Sequence, residues 1–166
     1  MRVLVTVATR HGATGEVGGA IARVLRERGL NTTQLPPGDV GDLSIFDAVV
    51  LGSAVYAGRW LAPATSLVTR LQRQLADRPL WLFSSGPIGD PLKPIEDVDV
   101  ADIIASTRAL EHKVFAGKLD KSALGLLERA MVRAVHAADG DFRDWDEVSR
   151  WASEIADTLA ASAPVV

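Results

Sequence analysis

Apolar and polar positions along the chain follow two rhythms, and the order in which they alternate predicts the class of fold. Short runs rich in β-branched residues fall at 3–7, 31–35, 48–52, 80–84 and 113–116, with the length and composition of strands. Between them the apolar residues recur with the 3.6-residue period of a helix. Over 13–28 they are Val17, Ala20, Ile21, Val24 and Leu25, and Gly29 supplies a stop. Pro63 suits the first turn of a second helix to about Ala76, with Leu67, Val68, Leu71 and Leu75 on its inner face. Residues 100–110 and 121–136 read as further helices. Asp144 is placed to cap a last one, with Trp145, Val148, Trp151, Ala152, Ile155 and Leu159 turned inward. Strands alternating with helices in this way predict βαβ units around a buried parallel sheet, an α/β fold.

The composition narrows what such a fold can do. At 166 residues and 48% hydrophobic content, one domain over 1–166 with one sheet is expected. The formal charge of −3 supplies no broad positive field, so nucleic acid is not an expected partner. With no cysteine in the chain there is no disulfide, thiolate metal site, iron–sulfur cluster or cysteine nucleophile. Redox chemistry would then need an organic cofactor. His112 and His136 have no second ligand at metal-binding spacing, so no metal is expected. The opening apolar run stops at Thr9-Arg10-His11, too early for a signal sequence or a spanning helix. We therefore expect a cytoplasmic protein without a transmembrane segment, with peripheral membrane contact left open.

In an open α/β sheet, ligands bind beyond the carboxyl ends of the strands where the strand order reverses, so the loops after the first, third and fourth strands carry the chemistry. The first reads Thr9-Arg10-His11-Gly12-Ala13-Thr14-Gly15-Glu16. A helix start presents unpaired backbone N–H groups and about half a positive charge, enough to seat a phosphate without a lysine. Thr9 and Thr14 add hydroxyl donors, Gly12 permits close approach of the backbone, and Arg10 and His11 add donors. The loop has neither the Gly-Lys-Ser/Thr of an ATP-binding P-loop nor a GxGxxG, so a mononucleotide phosphate fits it better. An ordinary hydroxyl-rich connection is the alternative. The loop after the third strand is read as Gly52 to Trp60, with Tyr56, the only tyrosine, at its centre. The loop after the fourth strand is Ser84-Ser85-Gly86-Pro87-Ile88-Gly89-Asp90, opening a proline-rich connection of the length usually reserved for function. Ser85 sits in no GxSxG elbow, which argues against a serine hydrolase.

Thr-x-His-Gly-x-Thr between a strand and a helix resembles the flavodoxin phosphate motif, with His11 where a hydroxyl is usual. Arg-His-Gly-Ala-Thr-Gly-Glu, Gly-Ser-Ala-Val-Tyr-Ala-Gly-Arg-Trp, Ser-Ser-Gly-Pro-Ile-Gly-Asp and Gly-Asp-Phe-Arg-Asp-Trp occur in this order. That series resembles the menaquinone-dependent protoporphyrinogen oxidases and their actinobacterial flavodoxin-domain relatives. The resemblance implies a doubly wound, five-stranded parallel sheet of order 2-1-3-4-5 that binds flavin mononucleotide (FMN). Thr9, Arg10, His11, Gly12, Ala13 and Thr14 would hold its phosphate. Ser53, Ala54, Val55, Tyr56, Ala57 and Gly58, with Ser85, Gly86, Pro87, Ile88 and Gly89, would border its ring, Tyr56 by stacking. No second aromatic stands in the third loop, which leaves one ring face open to a substrate. No side chain presents itself as a general acid or base.

Two functions follow from the resemblance: an FMN-dependent oxidoreductase taking electrons from protoporphyrinogen IX to a quinone, or a flavodoxin shuttling electrons between protein partners. A deazaflavin in the same pocket is a third possibility. Arg59 and Trp60, at the exit of the flavin loop, are candidates for docking a second substrate or protein. Glu96, Asp97, Asp99 and Asp102 form either a solvated face or an acidic partner surface.

Overall fold

The first strand, β1 (Arg2–Ala8), is buried at every position after Arg2, which is why its apolar run is almost continuous: helices cover both of its faces. The computed structural model that shows this describes residues 1–86, 98–119, 125 and 140–162. After β1 come α1 (Ala13–Glu27), β2 (Asn31–Leu35), β3 (Ala48–Tyr56), β4 (Arg59–Trp60), α2 (Ala62–Ala76) and β5 (Leu80–Ser85). Then follow α3 (Ala101–Thr107), β6 (Glu111–Phe115), β7 (Lys118–Leu119), β8 (Gly140–Asp141) and α4 (Trp145–Ala161). The parallel strands stand in the order β2-β1-β3-β5-β6, the expected 2-1-3-4-5 arrangement with an extra hairpin strand. That strand, β4, pairs antiparallel with β3 (Val55 opposite Trp60, Tyr56 opposite Arg59).

Alternation along the strands divides the core in two. Val3, Val5, Val7, Trp81 and Phe83 face Val17, Ile21 and Leu25 of α1 and Trp151, Ile155 and Leu159 of α4. Leu4, Val49, Leu51, Leu80 and Leu82 face Leu67, Val68, Leu71 and Leu75 of α2. Each fully buried large side chain stabilises the fold by about 2 kcal/mol. Under α4 the rings of Phe83, Phe115 and Trp151 meet edge to face or tilted at 5.5–6.1 Å. Phe83 also reaches under β3, where a Cβ on Gly52 would lie 2.2 Å from its ring. Only a glycine fits there, and that close approach joins the two central strands.

Several elements depart from their sequence expectation. β3 continues four residues beyond Gly52 because β4 folds back on it, so the stretch read as a loop is a hairpin. α3 spans seven residues rather than 100–110, since Arg108 turns left-handed at φ 55° and ends it. β6 begins at Glu111, two residues earlier than expected, in register with Trp81. Trp145 does not face the core: it is 40% exposed, with the Arg143 guanidinium 4.6 Å above its ring. The small β7–β8 ribbon had no signal in the pattern. Pro87, Ile88, Gly89, Glu96, Asp97, all of the helix expected over 121–136 except Gly125, and with it His136, lie outside the described residues.

Candidate functional site

The loop between β1 and α1 is set by one hydrogen bond and one glycine. Thr9 Oγ1 accepts from the Gly12 amide at 3.1 Å, closing the turn, and Gly12 takes φ 86° as the residue before the helix. Left-handed backbone of this kind costs a residue with a Cβ about 1 kcal/mol or more, so the position suits glycine. Among the described residues no side chain caps α1, and apart from the residues next to it in the chain none of them stands within 4 Å of a Cβ built on Gly12. The first-turn amides of α1 carry the positive end of the helix dipole. Thr9, Arg10, His11 and Gly12 are exposed, Ala13 is half-buried, and Thr14 is buried against the body of the protein.

The β3–β4 hairpin brings a second loop to the same edge. Ala57 and Gly58 both have positive φ, 51° and 75°, the conformation that a two-residue hairpin turn demands. Alanine adopts it only at a cost, and strain of this kind gathers where a backbone is held for function. The turn is clamped from outside, since the Asp99 amide donates to the Gly58 carbonyl at 2.8 Å. Tyr56 is half-buried, and the Arg10 guanidinium from the first loop lies 5.5 Å from its ring centroid. Two loops far apart in sequence thus meet at one face.

The remaining expected residues divide. Ser53 and Ala54 are buried within β3. The Ser53 hydroxyl donates to the Ala54 carbonyl at 2.9 Å and accepts from the Leu61 amide at 3.0 Å, tying down the return of the hairpin. Val55 pairs with Trp60. Ser85 is the last residue of β5, and the Gly86 amide donates to the Phe115 carbonyl at 3.0 Å, so strand pairing occupies the first N–H of the third loop.

Trp60, a candidate with Arg59 for docking a second substrate or protein, is only 6% exposed. Its indole N–H donates to Ser84 Oγ at 2.8 Å, and Ser84 Oγ stands 2.8 Å from His112 Nε2. Burial pushes the His112 imidazole down from its ordinary value, which favours the neutral ring that can accept the Ser84 proton. The polar chain fastens the hairpin to β5 and β6; Arg59 alone of the pair stays exposed. Sequence patterning does not reveal this chain because its members are 24 and 28 residues apart.

Nor does it reveal Arg143. This guanidinium, with a side chain 5% exposed, donates to both carboxylate oxygens of Asp141 at 2.9 and 2.7 Å. It also donates to Glu16 Oε2 at 2.5 Å and to the Ala13 carbonyl at 3.2 Å. These bonds hold the Asp141 carboxyl down at about 2. The only signal is the Gly-Asp-Phe-Arg-Asp-Trp segment, which belongs to the motif series without a role of its own there.

An open parallel sheet whose strand order reverses beside β1, with helices on both faces, defines a class: doubly wound α/β proteins, a fold in which ligands generally bind at the switch point of the strand order. The profile of the flavodoxin domain matches residues 4–146, and the chain belongs to that family. No curated protein matches it. Among solved structures it is similar to the rubredoxin oxygen:oxidoreductase of Desulfovibrio gigas, with 13% identity and a TM-score of 0.65, covering 98% of this chain but 37% of that one. An archaeal flavodoxin has 16% identity and a TM-score of 0.64, covering 96% of this chain and 99% of that one. The flavodoxin of Streptococcus pneumoniae has 19% identity and a TM-score of 0.59, covering 98% and 100%. At these identities the likeness establishes the fold. No helix among the described residues is long and apolar enough to cross a membrane.

Proposed function

We propose that this chain binds FMN with its phosphate on the first turn of α1 and its ring beside Tyr56, and that it works as an oxidoreductase. The observation that carries this reading is the start of α1: a left-handed glycine, with no side-chain cap among the described residues and room beside it for a group the size of a Cβ or larger. It stands beside the one hairpin that presents a tyrosine. Bound flavin would supply the capacity to take up and release electrons, as cofactors do. The chain's own residues would bind and orient it. Thr9 shapes the seat, Gly12 leaves room for the anion, Tyr56 offers a ring face, and Asp99 and the Trp60–Ser84–His112 chain hold the hairpin in place.

The finer reading, protoporphyrinogen as electron donor and a quinone as acceptor, draws on the resemblance of the motif series. A shuttle between redox proteins is the second reading, favoured by the near-complete coverage of stand-alone flavodoxins. Titration with FMN and with riboflavin, followed by fluorescence quenching, tests the site: tight uptake with preference for FMN is expected, and a chain that takes up neither overturns the proposal. FMN-dependent oxidation of protoporphyrinogen with menadione supports the enzyme. Failure of that turnover, with rapid electron exchange to a redox protein, supports the shuttle.

A further inference from the structure

The anion seat has an acidic residue built into it. Glu16 lies in the first turn of α1, the turn whose amides would receive a phosphate, and a carboxylate there repels a phosphate dianion while drawing on the same helix dipole. Arg143 answers that charge. Its Nη1 reaches both the Ala13 carbonyl and Glu16 Oε2, so the guanidinium lies along the first turn of α1 although it comes from 127 residues further along the chain. Asp141 grips the other edge of the fork in two parallel bonds, and the ring of Trp145 lies 4.6 Å from the guanidinium carbon. A guanidinium so gripped has one orientation.

We propose that Arg143 is a positioning residue for the ligand's anionic group: shared between Asp141 and Glu16, its charge offsets one of the two carboxylates and it draws that of Glu16 aside, so that less negative charge opposes a phosphate at the first turn of α1. Trp145 and Asp141 keep the guanidinium in that pose. The inference rests on the phosphate reading of the α1 start given under the proposed function. It differs from a purely structural staple between α1 and the segment before α4, because a staple would support phosphorylated and unphosphorylated ligands alike.

The ratio of riboflavin to FMN dissociation constants isolates the phosphate. In the wild-type chain the ratio should exceed ten, and in Arg143→Gln it should fall at least fivefold, chiefly through FMN. Removing both charges in Glu16→Gln/Arg143→Gln should restore most of the loss. Glu16→Gln alone, which leaves Arg143 in place and keeps the measurement open should the Arg143 variant fail to fold, should raise the ratio two- to threefold. A wild-type ratio near one overturns the phosphate reading itself. A normal wild-type ratio that is unchanged in Arg143→Gln, or lowered by Glu16→Gln, overturns the role of Arg143 and leaves the seat standing.

Discussion

Two helices begin near the same edge of this molecule, and their first turns are finished in opposite ways. α4 starts after Asp144, whose extended backbone lets its carboxylate accept from the Asp146 and Glu147 amides at 3.0 Å each. α1 starts after Gly12, with no side-chain cap. Both ends present the same orphan amides and the same dipole. In α4 the chain supplies the anion itself, and the helix end is closed. In α1 the position that would carry the capping oxygen is a glycine with room beside it for a group the size of a Cβ or larger. An uncapped end lowers stability, and here the deficit falls where a ligand can make it good. Arg143, one residue before the cap of the closed helix and bonded to the start of the open one, joins the two.

The contrast breaks most severely if α1 is given an anion of its own. Gly12→Asp should weaken FMN by about 2 kcal/mol or more, roughly thirtyfold, since a carboxylate beside the seat opposes the phosphate. Riboflavin binding should change far less, and fluorescence titration of both ligands checks this. In α4 the opposite holds. Asp144→Ala should cost about 1 kcal/mol of stability through the lost cap, read as a lower midpoint in urea, with the riboflavin-to-FMN ratio unchanged. Thr14→Val tests the seat at a single side chain, and we expect FMN affinity to fall by about 1 kcal/mol if its hydroxyl serves the phosphate. The thermal midpoint of the ligand-free protein, measured alongside, separates that loss from the cost of replacing a buried hydroxyl.

The smallest effect concerns acid. The Asp141 carboxyl is held at about 2, below its ordinary 3.8, first by its side-chain hydrogen bond with Arg143. The folded state thus favours the ionised form, and the stabilisation is complete above about pH 4 and is lost as pH falls through about 2. Asp141 is partly exposed, so the contribution is small. The thermal midpoints of wild type and Asp141→Asn should differ above about pH 4 and converge between about pH 4 and pH 2.

Much of the frame is legible in the order of residues along the chain. The five parallel strands and the inner faces of α1, α2 and α4 follow from local periodicity, because each element has to bury its own apolar stripe, and the strand order follows from the motif resemblance. Asp144 announces its cap by residue type alone. Trp145 shows where that reasoning fails: an aromatic at the right helical spacing lies outside the core, because a cation from the preceding turn covers it. Trp60 fails in the other direction. At the end of an apparent loop it reads as exposed, yet the hairpin turns it under, where Ser84 satisfies its indole N–H.

Local sequence is enough for the five parallel strands, for α1, α2 and α4, for their alternation and for the glycine at the start of α1, since these depend on neighbours within a few positions, but not for β4 or the β7–β8 ribbon. Which distant groups meet is settled only in the folded chain: Arg10 with Tyr56, Asp99 with Gly58, Trp60 with Ser84 and His112, and Arg143 with Glu16. Such pairings rest on short-range forces between residues that folding alone brings within a few ångströms, and no periodicity along the chain encodes that distance.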